Sequence, residues 1–296
     1  MHSWIYHAKT TGREIVMAKS TNPVPGRYLV VFGEVDLLRD LDNPDGWMLL
    51  MDGVPQSYVD LADPTHLDFE YVQLMGIAVD CLPEGPLDVT HVGGGGFTLP
   101  RYVAATRPGS RQIVIEPDHA LVQLVRDQLS LKSVPRLKVK LTGGREGATL
   151  LEDASADLVI LDAFAGATMP LELATAEYMG DLARVLRPTG TLLINVADGK
   201  GLMFARRLLS TVRNVFRHVT LLAEPGVLRG RRFGNLIVVA SNRDLPLDRL
   251  VRSAAGGLTQ ARCVSGEDLV KFVAGAKVIH DGDPVAVPVP PPAVFG

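Results

Sequence analysis

Four consecutive glycines, Gly93, Gly94, Gly95 and Gly96, follow directly on the β-rich run 89–92, and a helical pattern opens just after them at Thr98 and Leu99. Backbone without Cβ atoms turns sharply there and lets a flat, polar ligand approach closely. The next β-rich run ends at Glu116, about 20 residues on, where a carboxylate can accept both hydrogen bonds of a ribose diol. A further run, 158–161, ends at Asp162. Ligands of open α/β sheets bind beside the carboxyl ends of strands, which makes Asp162 a candidate ligand-binding or catalytic residue. The competing job for an Asp in that position is to cap the following turn. The strand-loop-helix-strand-Glu arrangement points to nucleotide or nucleoside binding rather than to a packing turn alone. No Lys-Ser/Thr pair follows the glycines, so a phosphate-gripping P-loop lacks its lysine and the ATPase reading falls.

The elements that must carry these residues alternate. Strand patterns at 89–92, 112–115, 137–141 and 158–161 are interleaved with helical patterns at 99–105, 119–129 and 171–186, the rhythm of a parallel sheet with helices on both faces. Further strands are expected at 191–196, 219–222 and 236–240, with a helix at 201–216. The last two strands, joined by a Gly/Arg-rich connection, should form an antiparallel hairpin at the sheet edge. The loop alone separates a dinucleotide from an S-adenosylmethionine-type nucleoside poorly; the late hairpin favours the nucleoside. Upstream, short β runs at 28–32, 47–51 and 56–59 are separated by turns at 42–46 and 52–55. Leu67, Tyr71, Leu74, Met75 and Ala78 then recur at helical spacing. The expected organisation is an N-terminal extension (1–26), a small β domain (27–64), a linking helix (65–86), a Rossmann-like nucleoside-binding domain (87–275) and a proline-rich tail (276–296). Pro284, Pro288 and Pro290 to Pro292 bar that tail from helix or central strand, so it should run extended or disordered.

Composition excludes other classes. The 296 residues are 47% hydrophobic and 21% charged, ordinary for a globular chain. Lys+Arg number 30 against 33 Asp+Glu, so there is no global attraction to nucleic acid or anionic lipid. With no apolar run of roughly 18 residues and no basic-then-apolar N-terminus, a cytoplasmic protein without a membrane partner is expected. Cys81 and Cys263 fit neither a disulfide framework nor a metal-ligand spacing, and no metal site is expected. His66, His91, His119 and His218 have no partner spacing and receive no role. Asp198, in Ala197-Asp198-Gly199-Lys200, is either site lining or a turn residue.

Several segments, taken in order and spacing, resemble the spermidine synthases, the aminopropyltransferases, over roughly residues 28–241. They are Met51-Asp52-Gly53-Val54-Pro55-Gln56, Phe69-Glu70-Tyr71-Val72-Gln73-Leu74, His91-Val92-Gly93-Gly94-Gly95, Glu116-Pro117-Asp118 and Leu161-Asp162. The resemblance implies an α/β fold in which a small N-terminal β domain precedes a class I methyltransferase-like (Rossmann-like) domain. It implies transfer of an aminopropyl group from decarboxylated S-adenosylmethionine to an amine acceptor in polyamine biosynthesis, without a metal, and a homodimer. It also implies residue roles: Gln56 and Glu116 on the nucleoside sugar, Gly93, Gly94 and Gly95 under the aminopropyl portion, Tyr71 facing the acceptor and Asp162 as general base, itself touching the donor.

The chain departs from the family pattern at four places. Gly96 replaces an acid after the glycines, Gly143 an acid that touches adenine, and Ala165 the second acid of the loop opened by Asp162. Arg229, Arg231 and Arg232 crowd the segment before the last strand; turned inward they would repel a diamine, and turned outward they are solvated charges. Two further functions share this cradle: an S-adenosylmethionine-dependent methyltransferase, and a non-catalytic nucleoside-binding or scaffold relative.

Overall fold

The computed structural model describes residues 4–6, 17–19 and 23–291; most of the N-terminal extension and the last five residues of the tail lie outside these. Strands β1 (Trp4–Tyr6) and β2 (Met17–Lys19) pair antiparallel. Then β3 (Gly26–Val30), β4 (Gly33–Arg39), β5 (Gly46–Met51) and β6 (Val54–Asp60) form an antiparallel meander in sequential order. Three strands are expected here and four are found. In β4, Val35 and Leu37 point into the core while Glu34 and Asp36 alternate outward, a half-buried pattern whose polar half hides the strand from a search for apolar runs.

The linking helix is α1 (Glu70–Asp80), shorter than the expected 65–86 segment; ahead of it the Asp60 carboxylate takes the amides of Ala62 and Asp63, and Asp63 takes that of Thr65, in successive side-chain turns. The main domain follows as β7 (Asp88–Val92), α2 (Thr98–Thr106), β8 (Arg111–Ile115), α3 (His119–Gln128), β9 (Leu137–Lys140), α4 (Gly144–Thr149), β10 (Ala156–Leu161), α5 (Ala176–Val185), β11 (Leu186–Asp198), α6 (Met203–Val215), β12 (His218–Ala223), α7 (Pro225–Leu228), β13 (Gly234–Ser241), α8 (Leu247–Gly256), β14 (Arg262–Val264) and α9 (Gly266–Val273). The expected helix 171–186 is split: Leu171–Leu173 makes a separate 3-10 turn, and Thr175 Oγ1 accepts from the Tyr178 amide to start α5.

The eight strands lie in the order β14-β12-β13-β11-β10-β7-β8-β9. From β11 to β9 neighbours are parallel, and β13 runs antiparallel between β11 and β12. The late hairpin therefore forms, but it is not the sheet edge, because β14 adds antiparallel outside β12. The central strands are apolar on both faces, with one core under α5 and α6 and another under α1 and α2.

The tail is a second departure from expectation. Its described residues, 276–291, hold no helix or strand, in keeping with the prolines, yet they are packed. Ile279 is 0% exposed within the main core. Its carbonyl accepts from the Ala176 amide and its own amide donates to Thr211 Oγ1. Arg145 pairs with Asp281, and His280 with Glu177. Among the described residues no helix is long and apolar enough to cross a membrane.

Candidate functional site

Strand order reverses between β7 and β10, and a crevice at the carboxyl ends of strands flanking such a point is where open α/β sheets take ligands. Gly93 leaves β7 and Asp162 leaves β10 side by side. Asp162 donates its amide to the Val92 carbonyl at 2.9 Å. Gly93 has φ +97°, and a Cβ there would stand 2.1 Å from the Asp162 carbonyl oxygen, so only glycine lets the two chain ends approach this closely.

The glycine loop is clamped from both sides. The Gly94 amide donates to Glu116 Oε2 and the Gly96 amide to Ser57 Oγ, each at 2.8 Å. Phe97 takes the left-handed conformation with φ 61° and is fully buried against Val35, Leu37 and Trp47 of the N-terminal sheet, while Thr98 Oγ1 donates to the Tyr58 carbonyl. A Cβ on Gly96 would lie 2.8 Å from Ser57 Cβ and 3.0 Å from Val59 Cγ2. The missing acid at Gly96 thus has a packing reason: β6 fills the space a side chain would need.

Glu116 turns inward. Oε1 accepts from the Asp118 amide at 2.9 Å, leaving each oxygen with capacity for a further donor. Burial pushes its carboxyl above the usual range, and the amides of Asp118 and Gly94 oppose that. Asp118 is committed elsewhere: it caps α3 through the Leu121 amide and accepts from the amides of Val31 and Phe32, which ties the β3–β4 turn over the sheet.

These elements enclose a cavity of about 530 Å³, a size typical of small-molecule sites. Along the strand order the lining runs from Gly143 and Gly144 after β9, through Glu116 after β8 and the glycine loop after β7, to Asp162 after β10, on whose side Tyr71 packs with Val72, Leu99 and Ile160; Leu121, Phe32, Met51, Gln56 and residues 163–166 also line it. Every expected site residue, Gln56, Tyr71, Gly93, Gly94, Gly95, Glu116 and Asp162, lines this one space. The Gln56 amide nitrogen donates to the Gly166 carbonyl at 3.1 Å, so it also fastens the loop after β10.

Asp162 accepts from Asn195 Nδ2 at 2.9 Å on Oδ1, and Asn195 Oδ1 accepts from Asn235 Nδ2 at 2.9 Å. Burial pushes the Asp162 carboxyl up to about 6, against the pull of the Asn195 bond. Burial, and then the Asp162 charge, push the Tyr71 phenol well up, so it stays neutral. His91, also in the wall, is pulled down by burial to about 4 and shares a 2.8 Å hydrogen bond with Gln112. Asn195 and Asn235 escaped the sequence reading; the signal was a lone amide inside the apolar run Leu192-Leu193-Ile194-Asn195-Val196.

Other candidates fall away. Asp198 accepts from the amides of Gly199 and Ala205, a turn and helix-start role away from the cavity. None of Arg229, Arg231 and Arg232 lines the cavity; all three are exposed, and Arg232 bridges Glu70 and Glu224. Of the two orientations the sequence leaves open for these arginines, the outward one holds. Among the described residues no group of three or more His, Cys, Asp or Glu side chains is placed to hold a metal.

Sheet order and antiparallel β13 define an α/β domain of the class I methyltransferase type, preceded by a small antiparallel N-terminal sheet. No family model matches the chain. Its structure superposes on that of a probable spermidine synthase from Corynebacterium glutamicum with a TM-score of 0.83 and 32% identity, covering 90% of this chain and 100% of that one. A curated polyamine aminopropyltransferase of Vibrio vulnificus is 24% identical over 197 residues, 65% of this chain; the matched stretch spans 62% of that relative's length. The spermidine synthase of Thermotoga maritima shares the fold at 16% identity and a TM-score of 0.57, over 92% of this chain and 91% of that one. The chain belongs to the spermidine synthase family, as a divergent member.

Proposed function

We infer that the protein is an aminopropyltransferase: it moves the aminopropyl group of decarboxylated S-adenosylmethionine to a small amine. The observation that carries this reading is that Asp162, with Oδ1 held by Asn195, lines the same cavity as the glycine loop and Glu116, which leaves its second oxygen for a ligand there. A sulfonium nucleoside laid across Gly93, Gly94 and Gly95 with its ribose hydroxyls on Glu116 brings its reactive carbon toward that oxygen, and Gln56 closes over it from the N-terminal sheet.

A protonated amine is no nucleophile. Asp162 holds the acceptor ammonium, takes one proton, and frees the nitrogen lone pair. The lone pair forms an N–C bond to the carbon beside sulfur, the C–S bond breaks, and its electrons neutralise the sulfonium, leaving methylthioadenosine. The leaving group is already activated by its positive charge, so alignment and proton removal are the work left to the protein. Tyr71, neutral and next to Asp162, flanks the acceptor. The family resemblance also carries an expectation of a cytoplasmic homodimer, whose assembly sedimentation would decide.

Calorimetry against three nucleosides tests the assignment. Decarboxylated S-adenosylmethionine and methylthioadenosine should bind, and the carboxylated parent should bind more weakly. Preference for the parent would favour methylation, and silence with all three would leave a non-catalytic relative.

A further inference from the structure

The charges of the cavity are unevenly placed along it. Asp118 commits its oxygens to the amides of Val31, Phe32 and Leu121, and Glu116 sits with the glycine loop. Glu172 is exposed, next to the Leu173 that packs on Gly144 at the same nucleoside end. Among the described lining residues, Asp162 is the one carboxylate at the far end. Ile160 shares its face of β10, since side chains two apart along a strand point the same way, and packs in one core with Val72 and Leu99, against which Tyr71 rests. Glu70, beside Tyr71 in sequence, is drawn to Arg232 and does not line the cavity.

We propose that this end takes an acceptor with a single ammonium and an uncharged, apolar remainder, a primary alkylamine or arylalkylamine rather than an α,ω-diamine. The ammonium seats on Asp162 and the hydrocarbon lies against Val72, Leu99 and Ile160. The second ammonium of a diamine would be stripped of water against those side chains with no carboxylate to meet it, and an unpaired charge in an apolar setting is the more costly alternative. The proposal rests on the transfer reading above for what the amine then does, not for which amine binds.

Calorimetry on the full chain saturated with methylthioadenosine compares n-hexylamine, n-butylamine and 1,4-diaminobutane. Hexylamine should bind at least about tenfold more tightly than 1,4-diaminobutane, with butylamine between; a diamine that binds as tightly as hexylamine overturns the proposal. The conservative Asp162→Asn variant should lose most of the hexylamine affinity, and retained affinity would put the ammonium elsewhere and also overturn it. The same titrations on the ligand-free chain keep the two readings apart: failure of methylthioadenosine to bind counts against aminopropyl transfer, while the order of the amines still decides this proposal.

Discussion

Asn195 reaches from β11 to the carboxylate that ends β10, donating Nδ2 to Asp162 Oδ1 at 2.9 Å, and is itself held by Asn235 from β13. The antiparallel strand inserted into the sheet thus orients the proposed base through one intermediary. Asp162 has one oxygen fixed and one left for chemistry.

Asn195→Leu should therefore act on Asp162 rather than on the fold alone. With the donor gone, the carboxyl climbs above its value of about 6, since a hydrogen bond to the charged form favours that form. The acidic limb of the pH–kcat profile should move up by about half a unit to one unit. A uniform loss of rate at every pH would mean that Asn195 only supports packing.

The same raised pKa sets opposite demands on rate and stability. Turnover should rise as pH passes about 6 and Asp162 becomes a base. Stability runs the other way: an acid whose folded pKa lies above its unfolded one binds more protons when folded, so stability falls as pH rises from the ordinary carboxyl value of 3.8 through about 6. Asp162→Asn should consequently be more stable than wild type at pH 8, by up to about 3 kcal/mol, with the difference vanishing below pH 4. Urea melts at the two pH values check it; equal stability at pH 8 would show that Asp162 is solvated.

Gly96→Asp should not restore the acid that other members of the family carry there. Ser57 and Val59 occupy the space, and overpacking of this kind typically costs about 1–3 kcal/mol. Thermal melting should fall, with no gain in affinity for decarboxylated S-adenosylmethionine. A variant that melts normally and binds the donor more tightly would show that β6 moves aside.

Ile279→Ala tests whether the tail belongs to the fold. A side chain 0% exposed in the main core should lose about 2–5 kcal/mol on truncation to alanine. A change within about 0.5 kcal/mol would mark the tail as a free surface segment.

Much of this was readable in the chain because the strands of a parallel sheet are short apolar runs, and Gly93, Glu116 and Asp162 mark where three of them end. What was not readable depends on distant partners. Glu34 and Asp36 disguised β4, whose inward half makes sense only against the meander it joins. The prolines of the tail rightly forbade helix, but one isoleucine buried from an irregular segment has no periodicity to betray it. The Asn195–Asn235 relay exists only because β13 enters the sheet between β11 and β12. Gly96 reads in sequence as a lost contact; the fold adds that Ser57 has taken the room.

The most direct measurement incubates the purified chain with decarboxylated S-adenosylmethionine and a primary amine and follows both products by mass spectrometry. Wild type should release methylthioadenosine and aminopropylated amine in equal amounts, and Asp162→Asn should release neither while still binding methylthioadenosine. Undiminished product from Asp162→Asn, or an N-methylated amine formed from intact S-adenosylmethionine, would contradict the account.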